Sequence, residues 1–288
     1  MRLRSLCILI ILGLVLLGAP AWGQEKGKTP APPTEATKPP APQAQTAAAE
    51  KPDPQEVLRK MCDYLKSLKE FSYKGEVTDD HTYSAGNKLQ FAFGLEGYVK
   101  RPDKIRLNAK GDLQNKEFFY DGKAITIYDT VKKIYATAAM PATIDEALAK
   151  AHSDYGIKLI VAQLAKTNLF EDITAGVKDQ VYVGEGTVFG VKCQHVAFDK
   201  GQAVVQLWVE ASDKPVLRKV VLTYKEVEFS PQWTMYLTEW NVSPQLAENL
   251  FAFTPPPGVE KVDFVEEIKK AGTPGKGKGQ PKKKGGQS

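Results

Sequence analysis

Cys193 and His195 stand two apart in VKCQHVAF, and on an extended chain they share one face. A thiolate and an imidazole so placed can begin a zinc site, but zinc takes three or four ligands and no partner cluster is visible. The remaining histidines, His81 and His152, are scattered. A buried structural pair is therefore the expected reading of Cys193 and His195. GEGTVFG, Gly184 to Gly190, has the glycines of a dinucleotide loop. It carries one residue too many before its last glycine, and no helix follows, so it reads as a turn. No motif sets a serine or cysteine nucleophile beside a base. Carboxylates are plentiful, but sequence alone does not pair them. No catalytic residue, metal site or cofactor is expected, and the chain reads as a binder, not an enzyme.

One basic residue stands out for its place. In YVKRPDKIRLN, Tyr98 to Asn108, the residues K-R-P-D separate two alternating runs. Pro102 and Asp103 supply a bend. The Arg101 guanidinium carries several donors, so it either sits in solvent at the turn or holds another segment.

The elements that position these residues follow from periodicity. Asp53 suits an N-cap, Pro54 the first helical position, and Glu56 follows three after the cap. Val57, Leu58, Met61, Leu65 and Leu68 then give one apolar helix face. From Phe71 the period becomes two. Phe71, Tyr73 and Val77 alternate with polar residues, and Leu89, Phe91, Phe93, Leu95 and Val99 do so over a longer run. Ile105 and Leu107 open a third strand. Others are expected over 114–120, 123–128 and 133–138, with Asp121-Gly122 a strong hairpin signal. Thr143 and Glu146 make a capping box before Ile144, Ala147, Leu148 and Ala151. Ile157, Ile160, Val161 and Leu164 predict a further helix after Gly156. Strands resume over 181–183, 188–198, 203–210, 216–224 and 233–242. The sum is about eleven strands and three helices, an antiparallel meander long enough to curl. The fold class is α+β: a curved, incomplete antiparallel β-barrel with helices over its mouth.

The flanks have other tasks. Residues 1–23 read as a signal peptide: Arg2 and Arg4, an apolar run too short to span a bilayer, then Ala21-Trp22-Gly23. Cleavage near Gly23 delivers the chain to the periplasm. Residues 24–52 form a Pro/Ala-rich linker and 266–288 a Lys/Gly-rich tail, both expected to be disordered. The tail lysines can touch an anionic membrane surface or stay in solvent. The net charge of +5 comes from the leader and the tail, so the domain at 53–265 is slightly acidic. A nucleic-acid binder carries its basic charge on the domain, and this class is excluded. Export permits Cys62 and Cys193 to pair, but free buried cysteine is also common, and two unpaired thiols are the preferred reading.

Three blocks carry a resemblance. YVKRPDKIRL resembles the strand-VKRP-strand block of the periplasmic LolA/LolB-like lipoprotein-carrier superfamily. FFYDGKAITIYDTVKKIYAT resembles its strand-DGK-strand block, and LFAFTPPPGVEKVD its closing block. Thr143–Glu146, Tyr155–Ile157 and Gly190–Phe198 are similar to elements of a family of predicted periplasmic proteins, a domain of unknown function, within that superfamily. The resemblance implies a LolA-like half-barrel whose apolar cavity holds lipid or acyl chains under a helical lid. Leu89, Phe91, Phe93, Leu95, Ile105, Leu107, Ile125 and Ile127 would line that cavity, and Arg101 would latch the lid. The alternation by itself allows an ordinary core. The implied partners are a lipid or acylated protein, held by a monomer in outer-membrane biogenesis. The alternative is an envelope sensor that binds a partner protein through the same fold.

Overall fold

The computed structural model describes residues 51–83, 87–113, 115–157 and 159–264. The expected signal peptide, the linker up to residue 50 and the lysine-rich tail lie outside the described residues.

Helix α1 (Pro54–Ser67) begins where the sequence places it. The Asp53 carboxylate accepts from the Gln55 N–H at 3.0 Å. Glu56 pairs with Lys60 one turn on, at 2.7 Å, instead of reaching back to the cap. Val57, Leu58, Met61, Cys62 and Leu65 are buried on one face.

A meander follows: β1 (Glu70–Tyr83), β2 (Asn87–Lys100), β3 (Lys104–Gly111), β4 (Asn115–Tyr120), β5 (Ala124–Asp129) and β6 (Ile134–Ala139). Asp121 shapes the β4–β5 turn by accepting from the Lys123 and Ala124 N–H groups, both at 2.9 Å. Helix α2 (Ile144–Tyr155) starts on the expected capping box. The Thr143 hydroxyl accepts from the Glu146 N–H at 3.3 Å and donates to its carboxylate at 2.8 Å. Gly156, at φ 69°, ends the helix in the left-handed conformation.

The helix expected next is a short 3₁₀ helix, Ile160–Ala165. Its N-cap residue, Leu159, has no side-chain acceptor to offer, and Ile160 and Val161 are stiff β-branched residues, so an α-helix gains no start there. A further short helix, α3 (Leu169–Thr174), has no counterpart in the apolar spacing.

The second meander is β7 (Asp179–Val188), β8 (Val191–Asp199), β9 (Ala203–Glu210), β10 (Leu217–Tyr224) and β11 (Gln232–Asn241). GEGTVFG corrects the reading as a turn. Its first five residues lie in β7, and the tight turn is Phe189-Gly190, with φ of 46° and 81°. A two-residue strand, β12 (Glu260–Lys261), adds in parallel to β6 and is too short to leave a period-two signal.

These pieces form one open, curved, 12-stranded sheet in the order β12-β6-β5-β4-β3-β2-β1-β11-β10-β9-β8-β7. The two meanders meet where β1 pairs antiparallel with β11. Side chains of alternate residues fill the inner face. One cross-strand row runs Phe71, Val99, Ile105, Tyr120, Ile125, Ala138, each paired with the next and all buried. Gly97, opposite Tyr73, leaves space for that ring, because a Cβ there would lie 2.2 Å from Tyr73 Cζ. On the outer face Phe253 packs its ring 5.0 Å from Tyr135, 5.3 Å from Phe119 and 5.5 Å from Tyr128, so the closing LFAFTPP block covers that side.

Candidate functional site

The β2–β3 turn is a junction for the helical segments. Arg101 donates from Nε to the Leu68 carbonyl at 3.1 Å and from one terminal nitrogen to the Leu65 carbonyl at 3.3 Å, at the end of α1. Its other terminal nitrogen donates to the Ala165 carbonyl, at the end of the 3₁₀ helix. The Arg101 N–H donates to the Lys69 carbonyl at 2.8 Å, and the Pro102 carbonyl accepts from the Ile144 N–H at 3.0 Å. One turn thus bonds to α1, the 3₁₀ helix and α2. Burial pulls the Arg101 guanidinium below the usual arginine value while the Asp145 charge opposes that shift, and an arginine keeps its proton through such a shift.

Tyr73 makes a second tie from the sheet. Its hydroxyl donates to the Val161 carbonyl at 2.7 Å, and burial pushes its pKa above the ordinary tyrosine range. Further bonds join the covering segments to one another. Asp145 of α2 accepts from the Thr167 N–H and hydroxyl, both at 2.9 Å. Lys166 pairs with Asp172 of α3. Lys200, in the β8–β9 turn, donates to the Asp172 and Ile173 carbonyls at 2.8 and 3.1 Å. A cation at the end of a helix also suits the helix dipole.

Beneath this cover lies a cavity of about 260 Å³. Its floor is Val205 and Leu207 of β9, Leu217, Val220 and Leu222 of β10, and Met235 of β11. Met61 of α1 closes one side, and Ile160, Leu164, Leu169 and Ile173 form the roof. Gln163, Asp172 and Lys200 are its polar residues. The volume lies just under the range of about 300–1,000 Å³ that holds small ligands.

None of the eight residues picked out by alternation is among those lining this cavity. Leu95, Ile105, Leu107 and Ile125 are buried in the hydrophobic core, with Phe93 and Ile127 packed against it, and the same core includes cavity residues such as Leu207 and Val220. Phe91 is half-buried and meets His81 edge-on at 5.1 Å, and Leu89 is 49% exposed. The alternation identifies the inner face. It does not tell over which strands a space lies. Val205, Leu207, Val220 and Leu222 carry the same alternating signal, and only the placement of α3 above them distinguishes them.

Cys193 and His195 serve local packing. The Cys193 thiol donates to the Val191 carbonyl at 3.4 Å. The His195 ring stacks on Trp208 at 3.8 Å and bonds Gln206 at 3.2 Å. Burial lowers the His195 value, partly offset by Gln206. Among the described residues no group of three or more His, Cys, Asp or Glu could hold a metal. Cys62 and Cys193 are both free and buried.

Residues 54–265 match the family described as predicted periplasmic protein, DUF2092. The chain belongs to the DUF2092 family. That agrees with the family of predicted periplasmic proteins read from Thr143–Glu146, Tyr155–Ile157 and Gly190–Phe198. No curated protein matches the sequence. Several solved structures are similar at low identity. An uncharacterised conserved protein of Thermus thermophilus is 11% identical, with 73% of this chain and 98% of that one covered and a TM-score of 0.43. A LolA superfamily protein of Nitrosomonas europaea is 8% identical, over 69% of this chain and 97% of that one, at a TM-score of 0.33. The Pseudomonas aeruginosa MucA/MucB complex gives 16% identity, 70% and 62% coverage, and a TM-score of 0.40.

Proposed function

We propose that this DUF2092 protein is a periplasmic binding protein that holds an acyl chain or similar apolar group under its helical cover. The observation that carries the reading is the 260 Å³ cavity between β9–β11 and α3, whose lining is mostly aliphatic. Each methylene moved there from water gains about 0.8 kcal/mol. Asp172 is paired with Lys166 and Lys200 is bonded to two carbonyls, so these polar residues at the edge of the space are placed to orient a ligand.

Arg101 is the latch in this proposal. It holds the end of the 3₁₀ helix against the end of α1, and releasing it lets the cover lift. The 3₁₀ helix lies against β2 and β3. A raised cover would therefore also uncover Leu95, Ile105 and Leu107, extending the apolar floor for a longer chain.

The test is binding of a neutral fluorescent probe, N-phenyl-1-naphthylamine, by the chain without residues 1–23. Val205→Asp puts a charge on the cavity floor at a half-buried position and is expected to abolish the fluorescence gain. Equal binding by both proteins would overturn the reading.

A second reading has its own observation. Strand β7 ends the sheet and exposes Val181 and Val183 at 51% and 53%, with Phe189 at 70% in the adjoining turn. An extended segment of a partner envelope protein could pair with such an edge. Val181→Lys would abolish capture of that partner and leave probe binding intact.

A further inference from the structure

We propose that the ligand is a single-chain amphiphile with an anionic head, its tail in the cavity and its head in the groove between α2 and the 3₁₀ helix. This rests on the reading of the cavity as an acyl-chain site. The groove has a volume of about 440 Å³ and is walled by Leu148, His152, Leu159 and Lys166, among others. Ile160, Gln163 and Asp172 line both spaces, so groove and cavity adjoin at those three residues.

The two spaces differ in chemistry. The inner one offers aliphatic side chains from three strands and the cover. The outer one sets His152 and Lys166 beside apolar Leu148, Ala149, Ile157, Leu159 and Ile160, and shares Gln163 and Asp172 with the inner one. A molecule filling both has a greasy end and a polar end. At ~30 Å³ per methylene, the volume of a water molecule, the inner space takes one chain of roughly eight or nine carbons. The two chains of a diacyl lipid exceed it.

Charge chooses the head. Lys166 and Lys200 are the cations of the combined lining, and Asp172 is its carboxylate. Two lysines against one carboxylate leave the lining a surplus positive charge. The Lys166 side chain is only 11% exposed and is paired with Asp172, whose side chain is 39% exposed. A carboxylate or phosphate arriving in the groove takes the place of Asp172 as the acceptor for Lys166, and Asp172 turns to water. A charge-assisted bond of this kind is among the stronger ones available.

The experiment displaces N-phenyl-1-naphthylamine from the chain without residues 1–23, using decanoate, decyl phosphate, decanol and decyltrimethylammonium. The two anions are expected to compete at about tenfold lower concentration than decanol, a difference of about 1.4 kcal/mol, and the cation less well than decanol. Lys166→Gln is expected to bring the anions to the level of decanol measured on the same variant. 1-Decanoyl lysophosphatidylglycerol competing better than decanoate assigns the head to a phospholipid, and the reverse order to a free fatty acid. Equal competition by all four head types overturns the proposal. So does a Lys166→Gln protein that loses decanol as well, because the lysine then acts only by holding the cover. Failure of the probe to bind, with Val205→Asp indifferent, sinks the cavity reading itself. Binding that Val205→Asp abolishes, without discrimination among heads, sinks only the anionic head.

Discussion

The Tyr73 hydroxyl donates to the Val161 carbonyl 2.7 Å away, a single bond from the sheet to the 3₁₀ helix above it. Together with Arg101 it ties that helix to the inner face. The bonds of Asp145 to Thr167, Lys166 to Asp172 and Lys200 to α3, with buried Ala162, Leu164, Ala165 and Leu169, hold the rest of the cover, whose two six-residue helices have no side-chain cap. Tyr73→Phe keeps the ring and removes the bond. The expected loss is about 1 kcal/mol of stability, with amide exchange rising over 160–165 and unchanged in β1–β5. Urea unfolding and hydrogen exchange by mass spectrometry measure both. Uniform acceleration across the sheet would show that the bond serves the whole fold and not the cover.

Arg101→Leu removes a larger restraint. The Leu68 and Ala165 carbonyls lose the Arg101 donor at once, and the Leu65 carbonyl keeps only the Leu68 N–H. A cost of about 2–3 kcal/mol is expected, with faster exchange in α1's last turn and in the 3₁₀ helix together. Arg101→Lys should recover little, since an ammonium lacks the fork that spans two helix ends. On the latch proposal Arg101→Leu also raises retention of the apolar probe. Unchanged retention, with exchange unchanged, would remove the latch from the account.

A pH dependence follows from Asp80 at the far end of β1. Its side chain is 5% exposed. It accepts from Gln90 and from the Gln232 N–H, both at 3.0 Å, and pairs with Lys88 at 2.8 Å. Desolvation pushes its carboxyl upward, but Lys88, Gln232 and Gln90 together outweigh it and hold the value below the ordinary aspartate range. The folded state therefore binds this proton less readily than the unfolded state. The contribution is complete above the unfolded value of about 3.9 and is lost as pH falls through the lower folded value. Asp80→Asn should be less stable than the parent at pH 6 and should lose less further stability on acidification to pH 3. Parallel losses in the two proteins would refute this role.

The cysteines give a chemical check on packing. Burial, with Asp63 and Glu171 nearby, pushes the Cys62 thiol up to about 12. Burial also raises Cys193. A thiol with so little thiolate reacts slowly. The chain without residues 1–23 should release both thiols to Ellman's reagent only after unfolding, and added reductant should leave its melting temperature unchanged. A shift on reduction would mean that the two are joined.

How much of this is legible in the sequence depends on whether the signal is local. The Asp53 cap, the Thr143–Glu146 box and the Asp121-Gly122 turn each act within four residues, and the structure has all of them. The inner face of β1–β5 follows from period-two alternation, so Leu95, Ile105 and Ile125 point inward. The odd charge beside Pro102 marks Arg101, but its three acceptors lie 33, 36 and 64 residues away. No spacing rule names them. The 3₁₀ helix reads as α because its apolar pattern is helical, while the missing cap decides the outcome. The position of the hollow is hidden for a related reason. Val205 and Leu222 look like Leu107 and Ile127 along the strand, and the space beside them depends on the segments packed above, which the strand pattern does not carry.

The most direct test of the central claim is photo-crosslinking with a decanoate bearing a diazirine near its terminal carbon, followed by peptide mapping. The account predicts adducts on Val205–Leu207, Val220–Leu222 or Ile160–Ile173, all lost in Val205→Asp. Adducts confined to the outer face around Trp208 and Tyr236, or equal labelling of the parent and Val205→Asp proteins, would contradict it.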